Sequence, residues 1–169
     1  MNQEKLPLEI EKKFLIKMPD LDWIKNNTNC QIAEILQTYL GFKRKGYGDR
    51  IRKMTINGVT KYFYTSKKSL SDMTRIELEK EINEKEYLEH LKEENARKTL
   101  FKTRYMIYQD GLKYEIDIYP FWQETAILEI ELKSEDAPYT IPAFIEVIGD
   151  VTGNRDYSNS SLVDKYLND

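Results

Sequence analysis

Residues 8–16 read LEIEKKFLI, which sets two carboxylates and an ammonium on one side of an extended chain. Side chains alternate between faces along a strand, so Glu9, Glu11 and Lys13 share one face, while Leu8, Ile10, Phe14 and Ile16 share the other. Carboxylates two residues apart lie about 7 Å apart along a face, close enough to share a hard cation and mutually repulsive without one. A solvated edge strand produces the same pattern, so the stretch alone fits either role.

The spacing recurs in one strand-like run after another. Arg50 and Arg52 flank Ile51, and Lys67 shares a face with Thr65 and Phe63. Arg75, Glu77 and Glu79 flank Ile76 and Leu78; Lys102 and Arg104 flank Thr103; Glu115 and Asp117 flank Ile116; Glu129, Glu131 and Lys133 flank Ile130 and Leu132. An antiparallel sheet with a wet outer face gives this alternation in any one strand. A wet face usually mixes its signs, however, whereas here like charges sit two apart in strand after strand. Arginine, which suits bidentate phosphate contacts, is prominent in the set. A barrel of about eight strands has an interior wide enough for one ligand, so inward charges would line a tunnel. Such a tunnel requires a hard divalent ion, Mg²⁺ or Mn²⁺, for its carboxylates and a polyanion for its cations; metal-bound polyphosphate meets both needs.

The elements that must position these residues can be read in order. Asp20 caps a short helix holding Leu21, Trp23 and Ile24, which fades in the polar run 25–29. Residues 31–42 become strand-like toward their end, and the basic stretch 43–49, with Gly46 and Gly48, reads as a flexible turn that either covers a site or forms a solvated hairpin tip. Runs 49–56 and 59–68 are joined by Asn57-Gly58, a strong hairpin signal. Residues 74–82 alternate as a strand. Asn83 and Glu86 then form a capping box, with Ile82 and Tyr87 placed as a hydrophobic staple, for a helix over 84–91. Runs 100–108, 112–119 and 125–133, with a turn at Asp110-Gly111 and a corner at Pro120, form a meander. Residues 142–148 read as a helix with Pro at its first turn and Gly149 past its end, and 161–167 form a last amphipathic stretch. The expected fold class is therefore mainly β (α+β): one domain over 1–169, an eight-stranded antiparallel closed barrel with a few short flanking helices.

Composition narrows the function. The chain has 169 residues, 40% of them hydrophobic and 33% charged, which suits one soluble domain with a real core. A net charge of −3 argues against bulk nucleic-acid binding, though it can hide a basic site. With a single cysteine, Cys30, and a single histidine, His90, an internal disulfide cannot form and zinc sites of the usual ligand types are not expected, so any metal must be held by oxygen. The first residues lack the apolar core of a signal peptide and no run approaches a membrane span, so a cytoplasmic location is expected.

Taken in chain order, Glu-x-Glu-x-Lys at 9–13, Arg-x-Arg at 50–52, Thr-x-Lys at 65–67, Arg-x-Glu-x-Glu at 75–79, Lys-x-Arg at 102–104, Glu-x-Asp at 115–117 and Glu-x-Glu at 129–131 resemble the CYTH domain of the triphosphate tunnel metalloenzymes. The segment VTGNRDYSNSSL, 151–162, looks like the C-terminal signature of the small bacterial members. The resemblance implies a tunnel in which Lys13, Arg50, Arg52, Lys67, Arg75, Lys102 and Arg104 grip phosphates. It implies that Glu9, Glu11, Asp117, Glu129 and Glu131 hold Mg²⁺ or Mn²⁺, and that Glu9, Glu11, Lys13, Arg52, Lys67 and Arg104 carry catalysis. Glu77, Glu79 and Glu115 either orient cations or join the metal set, and Lys133 sits toward a tunnel mouth. One departure stands out: residues 68–74, KSLSDMT, lack the glycine that relatives often carry, and parity with Thr65 puts Lys67 rather than Lys68 inside.

The activity so implied is metal-assisted, in-line attack of water on a terminal phosphorus, with inorganic triphosphate, a small molecule, as the first expectation and diphosphate and phosphate as products. The same scaffold also hosts class IV-type adenylate cyclases that make cyclic AMP from ATP, and thiamine, nucleoside or RNA triphosphatases, so fold alone does not fix the chemistry. A non-catalytic polyphosphate-binding module and a plain interaction domain are further readings. No base-reading pocket is evident; Tyr39, Phe42, Tyr47, Trp122 and Tyr157 either stack an organic group or pack. No nucleic-acid or membrane partner is expected, the oligomeric state is monomer or homodimer, and the stretch 161–167 either plugs one tunnel end or packs outside.

Overall fold

The computed structural model describes residues 5–167. In chain order it contains β1 (Leu8–Lys17), α1 (Leu21–Asn27), β2 (Gln31–Arg44), β3 (Tyr47–Ile56), β4 (Val59–Ser69), β5 (Thr74–Ile82), α2 (Glu84–Leu91), β6 (Leu100–Gln109), β7 (Leu112–Ile118), β8 (Thr125–Glu131), β9 (Val147–Asp150) and α3 (Asn159–Tyr166), with a 3-10 turn at Arg155–Tyr157. The strands lie in the order β5-β4-β3-β2-β6-β7-β8-β1-β9, and β5 also pairs with β1, so β1 to β8 close into a ring. Every pairing in the ring is antiparallel.

Local chemistry explains the tight turns. Asn57 and Gly58 have φ of 49° and 76°, and Asp110 and Gly111 have 52° and 78°, the positive pair that matches the twist of a two-residue hairpin. The Asn83 side chain accepts from Glu86 N at 2.8 Å while Glu86 Oε1 accepts from Asn83 N, which starts α2 where the capping box predicts. Ile82 and Tyr87 are both buried in one cluster with Leu40 and Ile51.

Two stretches differ from their sequence reading. Residues 142–148 are not a helix: Ile145 N donates to Pro142 O to close a single turn, and the chain then enters β9. The cause is the tilt of the closed ring. β5 pairs with β1 only at Leu8, Glu9 and Ile10, which leaves the rest of that edge unpaired, and an unpaired edge recruits a β-branched segment. β9 takes it, with Phe14 opposite Asp150 and Leu15 opposite Gly149. Residues 43–49 are likewise not a loose loop. β2 runs on to Arg44 through register shifts at Gly41, leaving a turn at Lys45 and Gly46. β2 is also extended from Gln31 onward, and α3 begins earlier than expected because Ser158 accepts from Ser161 N.

Two apolar clusters lie outside the ring. Phe14, Ile16, Tyr105, Ile107, Ile116, Leu128 and Ile130 on the outer faces of β1, β6, β7 and β8 pack with Ile24 of α1. Leu40 and Ile51 on β2 and β3 pack beneath α2. The interior holds the opposite residues: Glu11, Arg50, Arg52, Lys102, Arg104, Glu115, Asp117 and Glu129 are all buried. Burying charges is costly unless they are paired or ligated, so this interior is built for something other than stability.

Candidate functional site

Cross-strand register fixes which charges meet, because residues directly opposite each other share a face. Glu9 faces Arg75, Glu11 faces Glu131, Lys13 faces Glu129, Arg104 faces Asp117 and Glu115 faces Glu129. On the other side of the ring Arg50 faces Thr65, Arg52 faces Phe63, and Lys67 faces Glu77. All of these except Asp117 and Thr65 line one cavity of about 1180 Å³. Parity therefore placed Lys67 correctly: it reaches Glu9 at 2.9 Å and Glu77 at 3.4 Å. Lys68 also lines the cavity, with its Nζ near the Tyr47 ring.

The carboxylates are held by neighbouring cations. Arg75 reaches Glu11 at 3.0 Å, Arg52 reaches Glu79 at 2.9 Å, Lys13 lies 3.8 Å from Glu129, and Arg104 bonds Glu115. Lys113, on the inner face two residues before Glu115, lies 3.6 Å from Glu131. Among the described residues no three Asp, Glu, His or Cys side chains form a ready-made metal cage. The matched charges do leave atoms over. Glu11 Oε2, Arg50 Nε and Arg52 Nε are buried without any hydrogen-bond partner, and all three residues line the cavity. An orphaned carboxylate oxygen calls for a cation and orphaned guanidinium N–H groups call for an anion.

The electrostatics separate the carboxylates. Burial raises Glu9, but Lys67, a hydrogen bond with Glu77 and Arg75 outweigh it and hold the carboxyl well below its usual range. Burial and the charges of Glu129 and Glu9 push Glu11 well up, against Arg75 and Lys67. Burial raises Glu129 too, yet Lys13 and Arg104 bring it below normal. Burial with its cationic neighbours Arg50 and Arg104 lowers Arg52 to about 10.

Two expected site residues take other positions. Asp117 and Lys102 do not line the cavity. Asp117 accepts from Arg104 Nε at 2.7 Å, from Arg104 Nη2 at 2.9 Å and from Lys102 Nζ at 3.0 Å, so both its oxygens are in use and it braces Arg104 from behind rather than facing a metal. Lys102 is fully enclosed and spends its charge on Asp117. Lys133 lies past the end of β8 and is exposed. Sequence reasoning missed Lys113, although Lys-x-Glu-x-Asp at 113–117 carried the right spacing, and it missed Arg97 and Arg155, which reach the cavity from segments with no period to read.

One end of the ring is filled. Leu162 and Val163 of α3 pack with Leu100, Tyr119 and Ile127, together with Leu15, all on inner-face positions. α3 is therefore a plug, and Trp122 and Tyr157 pack in the same cluster. Arg97 secures the plug, donating to Ser160 Oγ at 2.7 Å and to the Ser160 carbonyl at 3.0 Å. Tyr39 and Phe42 do line the cavity, whereas Tyr47 stacks under Arg44 at 3.9 Å.

Comparison with known proteins places this architecture among solved structures. The inorganic triphosphatase NE1496 is 27% identical, with a TM-score of 0.54 over 91% of this chain and 96% of that one. The PH1819 protein from Pyrococcus horikoshii is 24% identical, with a TM-score of 0.57 over 76% of this chain and 80% of that one. The adenylyl-cyclase-like protein HpAC1 from Hippeastrum, described as having a dominant triphosphatase activity, is 16% identical with a TM-score of 0.53 over 75% and 80%. No protein-family model and no curated protein matches the chain.

Proposed function

We propose that the chain hydrolyses a triphosphate inside the ring, with inorganic triphosphate as the first substrate and Mg²⁺ or Mn²⁺ as the cofactor. One observation carries this reading: Arg50 Nε, Arg52 Nε and Glu11 Oε2, two buried donors and one buried acceptor without partners, belong to residues that line a single cavity. A metal-bound polyphosphate supplies acceptors to the first two and a cation to the third. The fit extends to the other charges that line the cavity, whose ion pairs offer cations to phosphate and carboxylates to metal. The similarity in fold to the inorganic triphosphatase NE1496 supports the same reading.

Glu9 and Glu11 on β1 with Glu129 and Glu131 on β8 are the carboxylates that would hold metal, because the two strands are adjacent and Glu11 faces Glu131 directly. Bound metal would neutralise phosphate charge and favour hydroxide formation from water. Arg50 and Arg52 line the same cavity, and Lys13, Lys67 and Arg75 would turn from their carboxylates toward phosphate oxygens, while Arg104 would give up only its bond to Glu115. Arg104 is fixed for this by its two bonds to Asp117. The residues thus act by positioning and by charge that is already in place before the phosphorus is attacked.

The test is phosphate release from inorganic triphosphate with Mg²⁺ or Mn²⁺, with products identified. Diphosphate and phosphate are expected. No release with either metal, or cyclic AMP as the main product from ATP, overturns the proposal.

A further inference from the structure

The inner charges of β1, β8 and β7 form a small lattice set by strand register. One row runs Glu11, Glu131, Lys113 and the next runs Lys13, Glu129, Glu115, with neighbours in a row about 5 Å apart at Cβ. All six residues line the cavity. Carboxylates converge at two places in this lattice. On the β1–β8 side Glu11 faces Glu131, and Glu11 Oε2 is buried without a hydrogen-bond partner. On the β8–β7 side Glu131, Glu129 and Glu115 converge, and there the chain supplies positive charge of its own.

Lys113 provides that charge. Its Nζ lies 3.6 Å from Glu131 and 3.9 Å from Glu115. Tyr108, directly opposite on β6, closes a third side with its ring centroid 5.9 Å from the same nitrogen, within range of cation–π attraction. Arg104 adds to the neutralisation, because it bonds Glu115 and lies 3.7 Å from Glu129. A divalent ion beside Glu115 therefore meets two fixed cations in a poorly screened interior, where like charges repel strongly. An ion beside Glu11 meets the Arg75 guanidinium on one carboxylate oxygen and an unpartnered oxygen on the other. We propose that Lys113 is a resident cation that takes the place of a second metal, so that the ring holds one divalent ion, between β1 and β8. Lys113 is thus a positioning residue that fixes which side of Glu131 is open to metal. The inference rests on the metal-holding reading of Glu11 and Glu131 but not on turnover.

The test is titration of the metal-free protein with Mn²⁺, followed by electron paramagnetic resonance, for the wild type, Lys113→Met and Lys113→Arg. Each is titrated with and without one equivalent of a methylene-bridged triphosphate analogue, which resists hydrolysis. Methionine keeps the length of the side chain without its charge, and arginine keeps the charge. The wild type and Lys113→Arg are expected to bind one Mn²⁺ per chain with an uncoupled spectrum. Lys113→Met is expected to bind two with spin coupling between them, since paired metal ions in one site lie about 3.5–4 Å apart. Mere loss of a nearby positive charge tightens the first ion without adding a second, so a single uncoupled Mn²⁺ in Lys113→Met overturns the inference. Two ions in the wild type overturn it as well. If no protein binds Mn²⁺ in either condition, the metal-holding reading falls and the inference with it. One ion in the wild type and a coupled pair in Lys113→Met, without phosphate release from inorganic triphosphate, sinks the hydrolytic reading and leaves the role of Lys113 standing.

Discussion

Lys102 Nζ and Asp117 Oδ2 lie 3.0 Å apart with both side chains out of contact with water. This pair braces the site from behind, because the same carboxylate holds Arg104 through two bonds. Burial lowers Lys102 to about 7, with Arg104 adding to the effect and Asp117 opposing it. Asp117→Asn leaves two buried cations facing a neutral amide. Breaking a buried pair by removing one partner costs about 3–5 kcal/mol, and the readiness of Lys102 to lose its proton puts the expected loss at the lower end. Urea unfolding measures it, and an unchanged midpoint would remove the bracing role.

The orphaned oxygen of Glu11 yields a second expectation. Glu11→Gln keeps the shape and the acceptor that Arg75 uses at 3.0 Å but removes the charge offered to metal. Loss of even an outer-shell partner weakens metal affinity by about 10- to 100-fold, so the Mg²⁺ concentration for half-maximal phosphate release should rise by at least about 10-fold. A Mg²⁺ titration of the steady-state rate is decisive, and an unaltered half-point argues against Glu11 as a ligand.

Protonation of the interior should be visible in stability. Burial pushes Glu115 up to about 7, helped by its hydrogen bond with Glu131 and the Glu129 charge and opposed by Arg104; Glu11 is also raised. A carboxyl raised above its unfolded value binds more protons in the folded state, so the stability it contributes is full below about pH 4.5 and is lost as pH rises through about 7. Glu9 and Glu129, held low, act in the other direction and only in more acid solution, where their stabilisation is lost as pH falls. Between pH 4.5 and 7 the metal-free protein should therefore lose stability as pH rises. Glu115→Gln should flatten that slope; an identical slope in the variant would contradict the assignment.

Much of this site was legible because strand parity is a local property. The charges of β1, β3, β4, β5 and β8 could be assigned to one face from spacing alone, and register then brought Glu11 to Glu131 and Lys13 to Glu129. Depth was not legible. Asp117 and Lys102 share the parity of Glu115 and Arg104, yet both are fully buried and off the cavity; Lys102 sits beside Ile35 and Asp117 beside Ile127, which packs against α3, and these neighbours are distant in sequence. β9 was misread for the same reason: its partner edge exists only because the ring closes with β1 offset against β5.

Gly153 provides a test of how the loops at the filled end fit together. Its φ is +74°, and a Cβ there would fall 2.4 Å from Asp72 Cγ and 2.6 Å from Asp72 Cβ. Gly153→Ala should cost about 1–2 kcal/mol for the left-handed backbone, plus about 1–3 kcal/mol for overpacking unless the β4–β5 loop retreats. Asp72→Gly in the same chain should recover only the packing part, and a double-mutant cycle by thermal unfolding separates the two. Full additivity would place Asp72 out of contact.

The plug gives the last expectation, and it distinguishes a structural role for α3 from a functional one. Leu162 and Val163 are buried against Leu100, Tyr119 and Ile127, whereas Ser158 to Ser160, at the start of the same segment, line the cavity. Leu162→Ala removes core volume and should destabilise by about 2–5 kcal/mol. It should also loosen the hold of Arg97 on Ser160 and so admit water to the cavity from that end. Asn83→Ala is the matched control: it strips a helix cap worth about 0.5–2 kcal/mol from α2, which lies on the outer face of the ring. At a temperature where both variants remain folded, phosphate release should fall in Leu162→Ala and hold in Asn83→Ala. Equal activity in the two would make α3 a stabilising cover with no part in shaping the site.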